Sequence, residues 1–109
     1  MSEELKLNQR PIPDAALRDA DAVEMLRVWI AEQGLHCSIK VGMYRESTKV
    51  PEEKAWGRIL ADAARHISNA MRDGYGTDAV ESLRAIRESF DQELGTASTT
   101  LKGEFIRRH

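Results

Sequence analysis

Cysteine, long apolar runs and a dominant charge sign are all scarce in this sequence, and each shortage excludes something. Cys37 is the single cysteine among 109 residues, so no disulfide can form within the chain. No apolar stretch approaches the roughly 20 residues that span a bilayer. The opening MSEELKLNQR lacks the basic-then-apolar pattern of a signal peptide. The expectation is a cytoplasmic protein with no membrane contact. Its 16 basic and 18 acidic residues are mixed along the chain and leave a formal charge of −2. Nucleic-acid binding needs a basic stripe to neutralise phosphates, so no nucleic-acid partner is expected.

Metal and cofactor patterns are missing too. His36, His66 and His109 have no ligand spacing, and neither HxxxH nor CxxC occurs. His36 and Cys37 are neighbours on a strand-like stretch, where adjacent side chains point to opposite faces. Gly42, Gly57, Gly74 and Gly76 form no phosphate-binding pattern, and no serine, threonine or cysteine sits in a nucleophile motif. No metal, cofactor or catalytic residue is therefore assigned. Cys37, within LHCSI, reads as a small core residue.

What is present describes a scaffold. The length fits one domain, able to bury roughly two-thirds of its unfolded surface. Residues 1–12 read as an irregular arm in which Leu5 and Leu7 could add an edge strand. Pro13-Asp14-Ala15-Ala16-Leu17 predicts a single helical turn opened by proline. From Val23 to Ala31, Glu, Met, Leu and Ala favour helix, yet Val28-Trp29-Ile30 favours strand. Leu35, Cys37, Ile39, Val41 and Met43 then alternate with polar residues, the pattern of a half-buried strand. That strand needs a partner for its backbone groups, so a β-hairpin turning at Gln33-Gly34 is preferred over a helix followed by a strand.

Arg45 to Val50 reads as a polar loop. Pro51 then opens a long helix to about Arg72, with Glu52 and Glu53 at its positive end. Its apolar stripe is Trp56, Ile59, Leu60, Ala63, Ile67, Ala70 and Met71, and Gly74 is suited to end it. Gly57 early in the helix suggests close approach by another backbone. Thr77 is the expected cap of a second, antiparallel helix with Val80, Leu83, Ile86 or Arg87, Phe90 and Leu94 on its stripe, ended by Gly95. Residues 95–109 read as a loosely ordered tail, in which Leu101, Phe105 and Ile106 could dock on the same molecule or a partner. The fold class is α+β: a hairpin covered by a long helix and a second antiparallel helix, residues 13–94 forming the domain. A two-stranded sheet leaves unpaired edges, which the N-terminal arm or a second copy of the chain could cover. A homodimer is the expected assembly.

The residues with some chemical content lie on the long helix. Asp62 and His66 are four apart and can meet, and Arg65 adds a fixed positive charge suited to an anion. Such a pair can move a proton, or can simply be a solvated ion pair. Trp29 and Trp56 could line a pocket beside them or fill the core. Arg84, Arg87, Lys102, Arg107 and Arg108 give a mild basic bias, offset by Glu81, Glu88, Asp91 and Glu93 as on a salt-bridged solvent face. The preferred function is a non-enzymatic protein-interaction or assembly module. The alternative is a small-molecule (anion) binding or catalytic domain using Asp62, Arg65 and His66 with Trp29 and Trp56.

Several stretches together resemble a known type: Leu26-Arg27-Val28-Trp29, the Leu35 to Met43 strand, Trp56-Gly57 with Ala61-Asp62 and Ala64-Arg65-His66, and Ile86-Arg87-Glu88-Ser89-Phe90. Over about Pro11 to Leu94 the chain resembles a family of small bacterial proteins known only as a domain of unknown function. The resemblance implies a bacterial cytoplasmic protein of one domain, and it carries over no activity, cofactor or catalytic residue.

Overall fold

The computed structural model describes residues 7–96. It is an α+β arrangement of six elements: α1 (Asp14–Arg18), β1 (Leu26–Ala31), β2 (Gly34–Ile39), α2 (Met43–Ser47), α3 (Glu52–Tyr75) and α4 (Ala79–Gly95). The possible edge strand at Leu5 and the tail residues Leu101, Phe105 and Ile106 lie outside the described residues. Leu7 lies within them and belongs to no strand.

The β-branched run wins over helix propensity between Leu26 and Ala31, because the next segment offers a ladder. The strands pair antiparallel, Leu26 with Ile39, Val28 with Cys37 and Ile30 with Leu35. Opposite residues share a face, so these six side chains make one wholly apolar face. Arg27, Trp29, Ser38 and His36 stand on the other. The turn falls one residue earlier than expected. Ala31 pairs with Gly34, which leaves Glu32 and Gln33 at its centre with φ of 50° and 64°. Positive φ at both central positions is the hairpin geometry that matches strand twist, here adopted without glycine.

The strand expected to reach Met43 stops at Ile39, and the loop expected at Arg45 is partly helical. Gly42, at φ 111°, turns the chain into α2. Helix α3 is 24 residues long, about 36 Å at about 1.5 Å per residue. Pro51 sits just before its first turn rather than inside it. It also runs past Gly74 to Tyr75. The left-handed ending is Gly76, φ 76°, whose N–H donates to the Arg72 carbonyl at 2.9 Å. Asp78, not Thr77, caps α4: its Oδ1 accepts from Val80 N at 2.9 Å and Glu81 N at 3.2 Å. Thr77 Oγ1 instead accepts from Ser82 Oγ at 3.3 Å.

Helices α3 and α4 pack together across the short Gly76–Asp78 link, and α2 packs on the start of α3. Strand Cα atoms stay beyond 8 Å from those of every helix. The helices' buried faces are rotated from those expected. On α3, Ala55 and Ser68 are buried and Trp56, Ile59, Ala64 and Met71 half-buried, whereas Leu60, Ala63, Ile67 and Ala70 are exposed. On α4, Ala79, Ser82, Leu83 and Ile86 turn inward, while Val80, Phe90 and Leu94 are exposed. Small side chains at the contact let the two axes approach closely, and that choice overrides the stripe of larger residues.

Candidate functional site

Asp62, Arg65 and His66 do come together on α3. The Arg65 guanidinium lies 3.9 Å from Asp62 Oδ1, and His66 Nδ1 lies 3.2 Å from Asp62 Oδ2. His66 Nδ1 also lies 2.9 Å from the Asp62 carbonyl oxygen, one helical turn back. The three side chains are 61%, 63% and 76% exposed, in that order. Screening by water at such exposure leaves little field to drive a proton transfer or hold a lone anion.

Arg65 alone of the three reaches a concave surface. It lines an open groove of about 590 Å³ between α3 and α4. The α3 wall is Gly57, Leu60, Ala61, Ala64 and Arg65; the α4 wall includes Val80, Leu83, Arg84, Arg87 and Phe90. The lining is mostly apolar with arginines at its rim. Arg84 is engaged by Glu81 and by Glu88 at 3.0 Å, and the hydrogen bond it donates to the Glu81 carboxylate raises its pKa above the ordinary arginine value. This agrees with the salt-bridged face read from the sequence. Among the described residues no other backbone approaches Gly57: a Cβ there would touch nothing within 4 Å.

The two tryptophans are held apart from this cluster. Trp29 lines a second hollow, of about 960 Å³, between β1 and the N-terminal arm, with Pro11, Ile12 and Leu17. Both Trp29 and Trp56 are half-buried, as is Cys37. The Trp56 indole N–H donates to Glu52 Oε2 at 2.9 Å.

That bond belongs to a polar knot of four hydrogen bonds on one carboxylate, which the sequence did not announce. Glu52 Oε2 also accepts from Gly42 N at 2.8 Å, and Oε1 accepts from Tyr44 N at 3.1 Å and Arg45 N at 2.9 Å. The carboxylate thereby caps α2 from the first turn of α3. Its pKa is lowered, first by the Gly42 amide; burial opposes this, and Arg45, Trp56 and Tyr44 add to the lowering. The four-residue spacing of Glu52 and Trp56 was the available signal. The knot is saturated, with each oxygen already accepting two bonds, so it positions elements and offers nothing to a ligand. Among the described residues, no three His, Cys, Asp or Glu side chains cluster to hold a metal ion. No helix there is long and apolar enough to cross a membrane.

Residues 9–97 match the family described as Domain of unknown function (DUF5076), and the chain belongs to that family. It is similar to an alkyl hydroperoxide reductase AhpD of Mycolicibacterium paratuberculosis, 30% identical over 77 residues. That match takes in 71% of this chain but only 42% of the relative, so the chain spans about two-fifths of that protein's length. A solved structure from the photosynthetic bacterium Rhodopseudomonas palustrus CGA009, provisionally designated a pyruvate dehydrogenase, is similar with a TM-score of 0.63. The two are 26% identical, and the similarity covers 89% of this chain and 93% of the other.

Proposed function

We propose that this member of DUF5076 is a non-enzymatic, cytoplasmic assembly module whose partner is another protein chain, in the first instance a second copy of itself. One observation carries the reading. Among the described residues only Ala55 and Ser68 are buried, while Ile30, Val80 and Leu94 are 83%, 74% and 72% exposed. A chain of this length ordinarily buries most of its apolar side chains; here the exposed Leu60, Val80 and Phe90 line one groove, and a shared exposed apolar surface of that kind marks an interface. A partner that covers the hairpin face and the α3–α4 groove supplies the burial that one copy lacks.

An anion-binding or catalytic role for Asp62, Arg65 and His66 has weaker support, because the group stands mostly in water and only Arg65 reaches the groove. Peroxide reduction, the activity in the Mycolicibacterium relative's name, gains little from this sequence. A thiol that reduces a peroxide is oxidised to a sulfenic acid, which a second thiol then resolves as a disulfide. Cys37 is the single thiol here.

Sedimentation velocity at micromolar concentration tests the assembly. The expected result is a dimer whose thermal midpoint rises with protein concentration, as mass action requires when association stabilises the fold. A monomer with a concentration-independent midpoint overturns the proposal.

A further inference from the structure

We infer, resting on the self-assembly just proposed, that the hairpin of one copy seats its apolar face in the α3–α4 groove of a second copy, and reciprocally. The groove is open in one chain, the hairpin face is open beside the N-terminal arm, where Leu26, Val28 and Ile30 border the second hollow, and the two surfaces fit. The hairpin face pairs Leu26 with Ile39, Val28 with Cys37 and Ile30 with Leu35, and its own helices leave Val28 and Ile30 exposed. From Leu26 to Ile30 the face is about 14 Å long at about 3.4 Å per residue. Along α4 the groove runs from Val80 to Phe90, about 15 Å at about 1.5 Å per residue.

The groove floor is shaped for a flat, close visitor. Gly57, Ala61 and Ala64 line it, and among the described residues nothing fills the space where a side chain of Gly57 would be. Glycine inside a helix is costly, and its use here is accounted for by a strand backbone that approaches from outside. Charge agrees with shape. Glu32 at the exposed hairpin tip and Arg87 at the groove rim pair with no described residue, and seating the hairpin brings opposite signs to the same interface. Because the contact is reciprocal about a two-fold axis, it closes at two copies.

Cross-linking reads the geometry directly, because Cys37 lies on the docking face and is the single native cysteine. Wild type, carrying Cys37, is mixed with a C37S/A61C chain and treated with a short bis-maleimide. The expected product is a covalent heterodimer linking Cys37 to the cysteine introduced at 61, several-fold more abundant than either homodimer. Cross-linking of C37S/A61C chiefly to itself would mean that helix faces meet instead, and would overturn the inference while leaving self-assembly intact. A dimer by sedimentation with no Cys37-to-61 product overturns it equally. A monomer overturns both readings together. Should the A61C chain fail to fold, charge reversal provides a second route. E32R is expected to weaken the dimer at least tenfold and R87E, added to it, to restore most of that loss; no weakening by E32R, or no restoration, counts against the docking.

Discussion

Glu52 Oε2 accepts a hydrogen bond from the Gly42 backbone nitrogen at 2.8 Å, across ten residues of sequence. The bond ties the first turn of α3 to the glycine that starts α2, and so fixes how the hairpin leads into the helices. Gly42 has φ 111°, and a Cβ there would sit 3.2 Å from Glu46 Oε2. The left-handed backbone selects glycine; the exposed Glu46 side chain can move aside.

Acid is expected to loosen this junction. The Glu52 carboxylate is held below its ordinary value of 4.5 by the amides it accepts from. A group whose folded pKa is depressed adds stability that is complete above the unfolded value and is lost as pH falls through the folded one. The wild-type thermal midpoint should therefore drop below pH 4.5 more steeply than that of Glu52→Gln. At neutral pH the Gln variant should already melt several degrees lower, since its amide NH2 faces amide donors. Parallel pH profiles for the two proteins would sink this if Glu52→Gln changed neither midpoint nor slope.

The hairpin turn can be improved. Glu32 and Gln33 both occupy the left-handed region, at φ 50° and 64°, where a side chain costs about 1–2 kcal/mol per residue. Asn-Gly is the pair that suits such a turn. Gln33→Gly, which leaves the Glu32 charge in place, should stabilise the fold by about 1 kcal/mol. The midpoint should rise by about 4–8 °C for each kcal/mol. Calorimetry showing an unchanged midpoint would mean that the turn is not held in this conformation.

How much of this was legible in the sequence follows from what each feature depends on. The hairpin was readable because Leu35, Cys37 and Ile39 alternate strictly and Val28-Trp29-Ile30 resists helix. The helices were readable from their three-four spacing and from Pro51, Gly74 and Thr77 near their ends, although Gly76 and Asp78 are the residues that close one and cap the other. The stop of α3 was displaced by two residues because Gly74 and Gly76 both suit a helix stop, and only the backbone shows which is left-handed; α4 ends at Gly95 as expected. The buried faces were misjudged for a different reason. Periodicity marks an apolar stripe but not which edge of it is covered: the small Ala55 and Ser68 are buried and Ala64 half-buried, while Leu60 and Ile67 are exposed. Glu52 was visible only as an acid at a helix start, since its amide partners are assembled by the turn at Gly42. Asp62 and His66 met as their spacing implied, yet spacing says nothing about exposure.

Asp78 closes the link between the two long helices, and its side chain accepts from both Val80 N and Glu81 N. Without it those amides turn to water in a three-residue connection. Asp78→Ala should destabilise by about 1 kcal/mol, and Asp78→Ser should recover most of that, because serine is an equally good cap. Denaturant melts of the two variants check this through their midpoints at unchanged slope. A serine variant as weak as the alanine one would show that charge rather than capping is what matters here.

Ser68 is 2% exposed and donates its hydroxyl to the Ala64 carbonyl at 3.1 Å. That bond is local to α3 and competes with a helix that is already satisfied, so the hydroxyl contributes little across the α3–α4 contact. Its small volume is what the contact requires. Ser68→Ala should therefore be close to neutral, within about 0.5 kcal/mol, whereas Ser68→Leu should cost about 1–3 kcal/mol by forcing the helices apart. The comparison separates size from polarity. If Ser68→Ala proved as damaging as Ser68→Leu, the hydroxyl would have to bond something other than Ala64 in the assembled protein, and the packing account of this position would fail.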